Sequence, residues 1–300
     1  MPPAANTKSL FAHYDLDRQQ RIMRLVRDRS PVPAPQILWN ESDTTFLGSP
    51  FLVMPRYEGL VPGDVPLYTF QSFLTEASPE QLDTVERESI QVLADLHSIA
   101  LTPADRELLD LKIAGKTPLE RQFNEILQHY EWTCNEEGLR SDLLERTYTW
   151  IKANWPADEG EPVLVWGDPR MANFMFRDHR VVAALDWEMA GLGVPEQDVC
   201  WPVMFHGWHQ DLTIKHGLTG LPNFMRLRKV VALYEAASGR KLNNLRFHLI
   251  FALGRLGPIM LRSLLRAIKY GQSTMPETTD GLLLFRDGLE KLLAGEAVWE

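Results

Sequence analysis

Apolar residues recur along this chain in two rhythms, one of helical period and one of short unbroken runs. The helical rhythm begins at residues 14–26, where apolar positions 16, 22, 23, 25 and 26 share one face. Asp15 or Asp17 stands near its start, and the Pro-rich stretch 30–35 ends it. Ser78-Pro79-Glu80-Gln81 reads as a capping box with proline at the first helical position, followed by a stripe through Leu82, Val85, Val92, Leu93 and Leu96. Thr117-Pro118-Leu119-Glu120 opens another helix that turns Phe123, Ile126, Leu127 and Tyr130 inward and closes at Gly138. Further helices are predicted over 141–155, from 191 through Trp201 and Phe205, and over 223–238, 245–270 and 281–293. Gly254, Gly257 and Pro258 predict a kink or a close packing contact in the longest of these. The other rhythm predicts short strands at 36–39, 50–54, 163–166, 173–176 and 181–185.

The last three strands carry the chemistry. The run Val163-Leu164-Val165-Trp166 stops at Gly167, which puts Asp168 on a loop. Asn173 follows Asp168 by five residues, and Asp186 follows Asn173 by thirteen, at the end of the third strand. Short connections therefore deliver a carboxylate, an amide and a second carboxylate to one end of a small sheet. A lone Asp in a loop is ordinarily a solvated or capping group, and Trp187 reads as core. Three such positions between apolar strands call for another reading. A hydroxyl nucleophile needs a carboxylate to orient it and take its proton, while triphosphate oxygens need a hard cation held by oxygen ligands. Offsets of five and thirteen match the Asp, Asn and Asp of the phosphoryl-transfer layout.

On these residues the chain resembles the aminoglycoside phosphotransferase and choline kinase group of kinase-like enzymes. More narrowly, it is similar to a bacterial branch related to the kinase-like domain fused to some acyl-CoA dehydrogenases. The resemblance runs from about Tyr14 to the C-terminus. It implies an α+β, protein-kinase-like fold: a partial β N-lobe over residues 1–58 and a large helical C-lobe over 59–300 that contains the short catalytic strands. It implies Asp168 as base, Asn173 and Asp186 as ligands of Mg²⁺ with ATP or another nucleoside triphosphate, and Asp198 as a brace of the catalytic loop. The dipole at a helix N-terminus gives Asp198 a second reason to be there. By the same resemblance Met54-Pro55-Arg56 is the hinge that receives the adenine ring, Glu188 lies beside the metal, and Gln19 stands where the family carries a Glu. The Leu96-His97 pair is common in the family, and His97 reads as a packed structural histidine with no evident partner. Trp166 departs from the family's usual His before Gly-Asp.

Other features bear on activity. A kinase holds phosphate with a Gly-rich loop and a strand Lys or Arg. Here no glycine precedes Gly48, and Lys8 is the only lysine before Lys112. This points to a misassigned start codon or a truncated gene. Two functions follow: ATP-dependent phosphorylation of a small-molecule hydroxyl, or a truncated, non-catalytic kinase-like module that binds a ligand or partner. A metal-dependent hydrolase is disfavoured because no His-rich cluster accompanies the carboxylates.

Composition narrows the setting. Of 300 residues, 45% are hydrophobic and 24% charged, as in ordinary globular chains. A net charge of −9 argues against nucleic acid and favours a neutral or cationic substrate. Cys134 and Cys200 are the only cysteines and lack metal-ligand spacing, so free thiols in a reducing compartment are expected. The reading finds no membrane span and no signal peptide in the first residues, and it places the protein in the cytoplasm.

Overall fold

The computed structural model describes residues 9–300. Lys8, singled out above, lies outside the described residues. Helix α1 (Leu16–Arg29) starts as its sequence dictates: the Asp15 carboxylate accepts the Arg18 backbone N–H at 2.8 Å, and Ile22, Met23, Leu25 and Val26 are buried. Next come the strands β1 (Trp39–Glu41) and β2 (Phe51–Val53), a two-stranded antiparallel ladder. Residues 36–38, expected in a strand, lie before β1, although Leu38 already donates its N–H to Val53 O at 2.8 Å. Leu38, Trp39, Phe46 and Leu47 are exposed.

Helix α2 (Pro79–His97) carries the predicted capping box, with Ser78 and Gln81 exchanging bonds. Helix α3 (Pro103–Leu109) was not anticipated, although Thr102 and Asp105 form a second capping box before it. Helices α4 (Pro118–Glu137) and α5 (Asp142–Ala153) match the periodicity, and Gly138 ends α4 in the left-handed conformation. The stretch that carries Asp168 and Asn173 then folds into β3 (Val163–Val165), β4 (Phe174–Arg177) and β5 (Arg180–Ala184). A turn with Asp178 and His179 at positive φ joins β4 to β5.

Residues 191–193 correct the sequence reading. They form a strand, β6 (Gly191–Gly193), antiparallel to β3, and helix α6 (Pro195–Lys215) begins only beyond it. Backbone pairing with Val163–Val165 holds the segment extended, and glycine admits a close approach: a Cβ at Gly193 would lie 2.2 Å from Gln197 Oε1. Gln197 in turn accepts the Val194 backbone N–H at 2.9 Å and donates to Gln122 of α4.

Helices α7 (Leu227–Ser238), α8 (Leu245–Lys269) and α9 (Arg286–Ala294) complete the chain. The final helix is shorter than expected because residues 279–282 form a separate 3₁₀ turn. Helix α8 runs through Pro258, and the glycines serve packing. A Cβ at Gly257 would meet Leu144 at 2.5 Å. Pro258 cannot donate to the carbonyl four residues back, and the Tyr148 hydroxyl supplies that bond, donating to Gly254 O at 3.1 Å. By length and mean hydropathy (1.3) α8 could cross a membrane, which corrects the expectation that no segment would qualify. It is instead a core helix packed against α4, α5, α6 and α9, and 72% of its apolar window is buried.

Candidate active site

Asp198 organises the site from below. On the first turns of α6 and 1% exposed, it accepts the backbone N–H groups of Trp166 (2.6 Å) and Gly167 (2.9 Å). It is a helix N-terminal carboxylate, and it bonds the loop that carries Asp168. His97 is buried as expected, yet it has partners the sequence did not disclose. Its Nε2 meets Asp198 Oδ2 at 3.1 Å and its Nδ1 meets the Tyr234 hydroxyl at 2.8 Å. A chain of contacts thus runs from α7 through α2 to the loop.

The loop turns sharply at Gly167, where φ is +87° and a Cβ would lie 2.3 Å from Met189 O. Only glycine lets the two loops touch there. Beyond the turn, Asp168 is 3% exposed and both of its oxygens are engaged. Trp201 Nε1 donates to Oδ1 at 2.6 Å, while Asn173 Nδ2 at 2.9 Å and Arg170 donate to Oδ2. Desolvation pushes the Asp168 carboxyl up to about 6; Asp186 adds to the rise, while Arg170, Trp201 and Asn173 oppose it. Asn173 also donates to the Asp168 backbone carbonyl at 2.9 Å, which turns its amide oxygen away from Asp168.

Asp186 sits at the end of β5 with φ of +59°, a left-handed conformation uncommon for a non-glycine residue. Trp166 helps to hold it there. The indole N–H donates to the carbonyls of Leu185 (3.0 Å) and Asp186 (2.9 Å), and the ring stacks on Trp187 at 5.3 Å. The departure at position 166 therefore retains a ring N–H donor. Trp187 is core, as read. The Asp186 side chain makes no hydrogen bond among the described residues and faces the field of Asp168. Glu188 is open to solvent on one side. Partial desolvation, then Asp186 and Asp168, raise it to about 7.

The remaining candidates lie apart from this group. Met54 and Arg56 are exposed, and Pro55 is half-buried, on the exit from β2. The segment beyond them is stitched to β4, since Leu60 and Phe176 exchange backbone bonds of 2.7 and 2.8 Å. A Cβ at Gly59 would meet Met175 at 2.6 Å. The Gln19 side chain is half-buried and makes no hydrogen bond among the described residues. Its neighbour Arg18 is the active partner on α1, donating to the carbonyls of Leu108 (3.2 Å), Leu109 (2.8 Å) and Ala190 (2.9 Å).

Sequence reasoning missed three residues that touch the site directly. Arg170 pairs with Asp168 and, through Nε at 3.0 Å, with Asp64. Asp64 and Trp201 are its other unforeseen members. A basic residue two positions beyond Asp168 was the one local signal available. The oxygens of Asn173 and Asp186 suit a hard divalent cation. Among the described residues no group of three or more His, Cys, Asp and Glu side chains is arranged to hold a metal unaided. Phosphate or water oxygens would have to complete the shell, as Mg²⁺ prefers.

Comparison with known proteins agrees with this geometry. The family described as Phosphotransferase enzyme family matches residues 9–228. The Arabidopsis thaliana protein IBR3, a provisionally assigned acyl-CoA dehydrogenase, is 26% identical over 268 residues, 84% of this chain and 31% of that protein. The chain spans between 22% and 31% of the length of the curated relatives it matches. Among solved structures, a provisionally named aminoglycoside phosphotransferase of Ralstonia eutropha superposes with a TM-score of 0.68 at 22% identity. That match covers 93% of this chain and 82% of the other. A thermostable mutant of the aminoglycoside phosphotransferase APH(4)-Ia, solved with AMP-PNP and hygromycin B, gives 0.57 at 15% identity, covering 96% and 85%. The fold is thus kinase-like α+β.

Proposed function

The chain belongs to the phosphotransferase enzyme family, and on that premise we propose that it moves a phosphoryl group from a nucleoside triphosphate to a hydroxyl of a small molecule. The observation that carries this reading is the way Asn173 is shared. Its amide nitrogen is spent on Asp168 and its oxygen is left for a cation, near an Asp186 carboxylate that takes no hydrogen bond among the described residues. Asp168 orients the acceptor hydroxyl and takes its proton. A carboxyl near 6 is ionised at neutral pH yet a far better proton acceptor than an ordinary one. Asn173 and Asp186 hold Mg²⁺, which when bound neutralises charge on the phosphate oxygens. Arg170 is the cation nearest the reacting groups; drawn between Asp168 and Asp64, it can turn toward a phosphoryl oxygen as the acceptor displaces it from Asp168. Met54-Pro55-Arg56 borders the nucleotide, and Asp198 keeps the loop in register. A phosphotransferase solved with AMP-PNP supports ATP as donor.

One observation favours a second reading, a ligand-binding module without turnover: both oxygens of Asp168 are already engaged. A single pair of measurements separates the two. Mg·ATP titrated by calorimetry into the wild type and Asp186→Ala should show affinity lost with the carboxylate. ATP consumption over a panel of small alcohols and amino sugars should fall by about 10² or more in Asp168→Asn at unchanged nucleotide affinity. Binding without consumption of ATP by any acceptor would leave the module. Equal Mg·ATP affinity in Asp186→Ala would sink the metal assignment.

A further inference from the structure

Beneath the two loops lies a charge that the site described so far does not use. Arg255, on α8, is half-buried, yet among the described residues no carboxylate oxygen comes within salt-bridge reach of it. Burial pulls this guanidinium below its usual range, and Glu125, Asp198 and Asp168 push it back through space. A cation drawn partly out of water without a direct counter-ion is costly, so its position calls for a reason. Its contacts supply one. It donates to Met189 O at 3.4 Å, the same carbonyl that touches Gly167 across the missing Cβ. Its central carbon stands 5.9 Å from the Trp201 ring centroid, on the indole whose N–H bonds Asp168 Oδ1 at 2.6 Å. One side chain therefore reaches the Asp168 loop through Trp201 and the Asp186 loop through Met189. Beside it is a pocket of about 10 Å³ bounded by Gly167, Asp198, Trp201, His248 and Arg255. His248 is 2% exposed, and its Nδ1 has no partner in that wall. The space suits one water bridging two polar groups.

We propose that Arg255 is a positioning residue that sets the distance between the Asp168 and Asp186 loops, holding Trp201 over Asp168 by cation–π contact while gripping the Met189 carbonyl. The cation attracts the face of the indole, which leaves the ring's N–H edge free to point at the carboxylate. The same charge draws Asp168 and Asp198 toward α8 without touching either. The proposal extends the reading of Asp168 and Asp186 as reacting groups. Its structural content stands without turnover, and the test is chosen accordingly.

The full chain is labelled with ¹⁵N-tryptophan, and solvent exchange is followed at each indole N–H, with Trp201 assigned from Trp201→Phe. Trp299, whose indole donates to Asp211 on the far half of α6, reports global opening. In Arg255→Met, exchange at Trp201 should quicken by about ten-fold or more while Trp299 is unmoved. Arg255→Lys keeps the charge, and the adjoining water-sized space accommodates its hydrated ammonium, so Trp201 should stay within about three-fold of wild type. Unaltered Trp201 exchange in Arg255→Met would overturn the proposal. So would a loss shared equally by Trp299, or one that lysine fails to restore. If no acceptor or nucleotide is ever turned over, the chemical reading fails while the exchange result still decides the role of Arg255.

Discussion

Replacing Asp198 with asparagine tests the support of the site with little change of shape. The carboxylate has two accepting oxygens: Oδ2 takes the Trp166 N–H and faces His97 Nε2, while Oδ1 takes the Gly167 N–H. An amide has one acceptor. If its oxygen stays with Trp166 and His97, its NH₂ confronts the Gly167 N–H, and that buried donor is orphaned. An unsatisfied buried donor costs about 1–3 kcal/mol, and loss of the charge-assisted character of the other bonds adds about 1 kcal/mol. A total of about 2–4 kcal/mol corresponds to a fall of about 4–8 °C in Tm for a chain of this size. The catalytic loop should shift as well, and misplacement by about 1 Å can reduce a rate about 10²-fold. Calorimetric melting gives the first quantity, and backbone hydrogen exchange at Trp166 and Gly167 gives the local consequence. A Tm within 1 °C of wild type with undisturbed exchange at those two amides would refute the reasoning, because it would mean the two bonds carry no load.

Three further outcomes are expected. Tyr148→Phe should cost about 1–2 kcal/mol in urea unfolding, because Gly254 O loses its donor. Pro258→Ala in that background should recover part of this by restoring the helical N–H, and strictly additive costs would contradict it. Trp166→Phe removes the donor to Leu185 O and Asp186 O and should weaken Mg·ATP binding about ten-fold, whereas Trp166→His should bind nearly as wild type. Equal affinity in all three would show that the indole N–H is idle. His248, buried and pulled down to about 3 by desolvation, stays neutral in the folded chain while it protonates in the unfolded chain below about 6.5. Its contribution is therefore present above that value and lost as pH falls. Stability measured for His248→Asn relative to wild type should improve by about 2 kcal/mol between pH 7 and pH 5, and a difference independent of pH would contradict the burial.

The positions of Asp168, Asn173, Asp186 and Asp198 were legible because short strands and tight connections convert spacing along the chain into spacing in the site. The same logic fails where placement depends on packing between distant elements. Gly191-Leu192-Gly193 is poor in strand-forming side chains, and it is a strand because its backbone pairs with Val163–Val165, nearly thirty positions earlier. His97 had no visible partner because Asp198 lies 101 positions away, across the contact of α2 with α6. Trp201 looked like another apolar position on a helix, yet its one polar atom meets the reacting carboxylate. Trp166 read as a departure from pattern, whereas its N–H is what a ring at that position supplies. In α8, composition alone could not separate a kink from a packing notch, and the answer rests with Leu144 and Tyr148 on a neighbouring helix.

The two bonds between Leu60 and Phe176 also fix a mechanical point. Strand β4 carries Asn173 just before its first residue, so the linker that leaves β2 is riveted to the same short ladder that presents the metal side of the site. The linker and the segment that leads into β1 are held at other points too: the Tyr57 hydroxyl accepts the Gln36 backbone N–H at 3.0 Å, and Ala184 of β5 donates its N–H to Pro33 O at 3.0 Å. A load on the linker is therefore shared between β4 and β5, the two strands that flank Asn173 and Asp186, and the spacing of those residues is set by backbone bonds on either side.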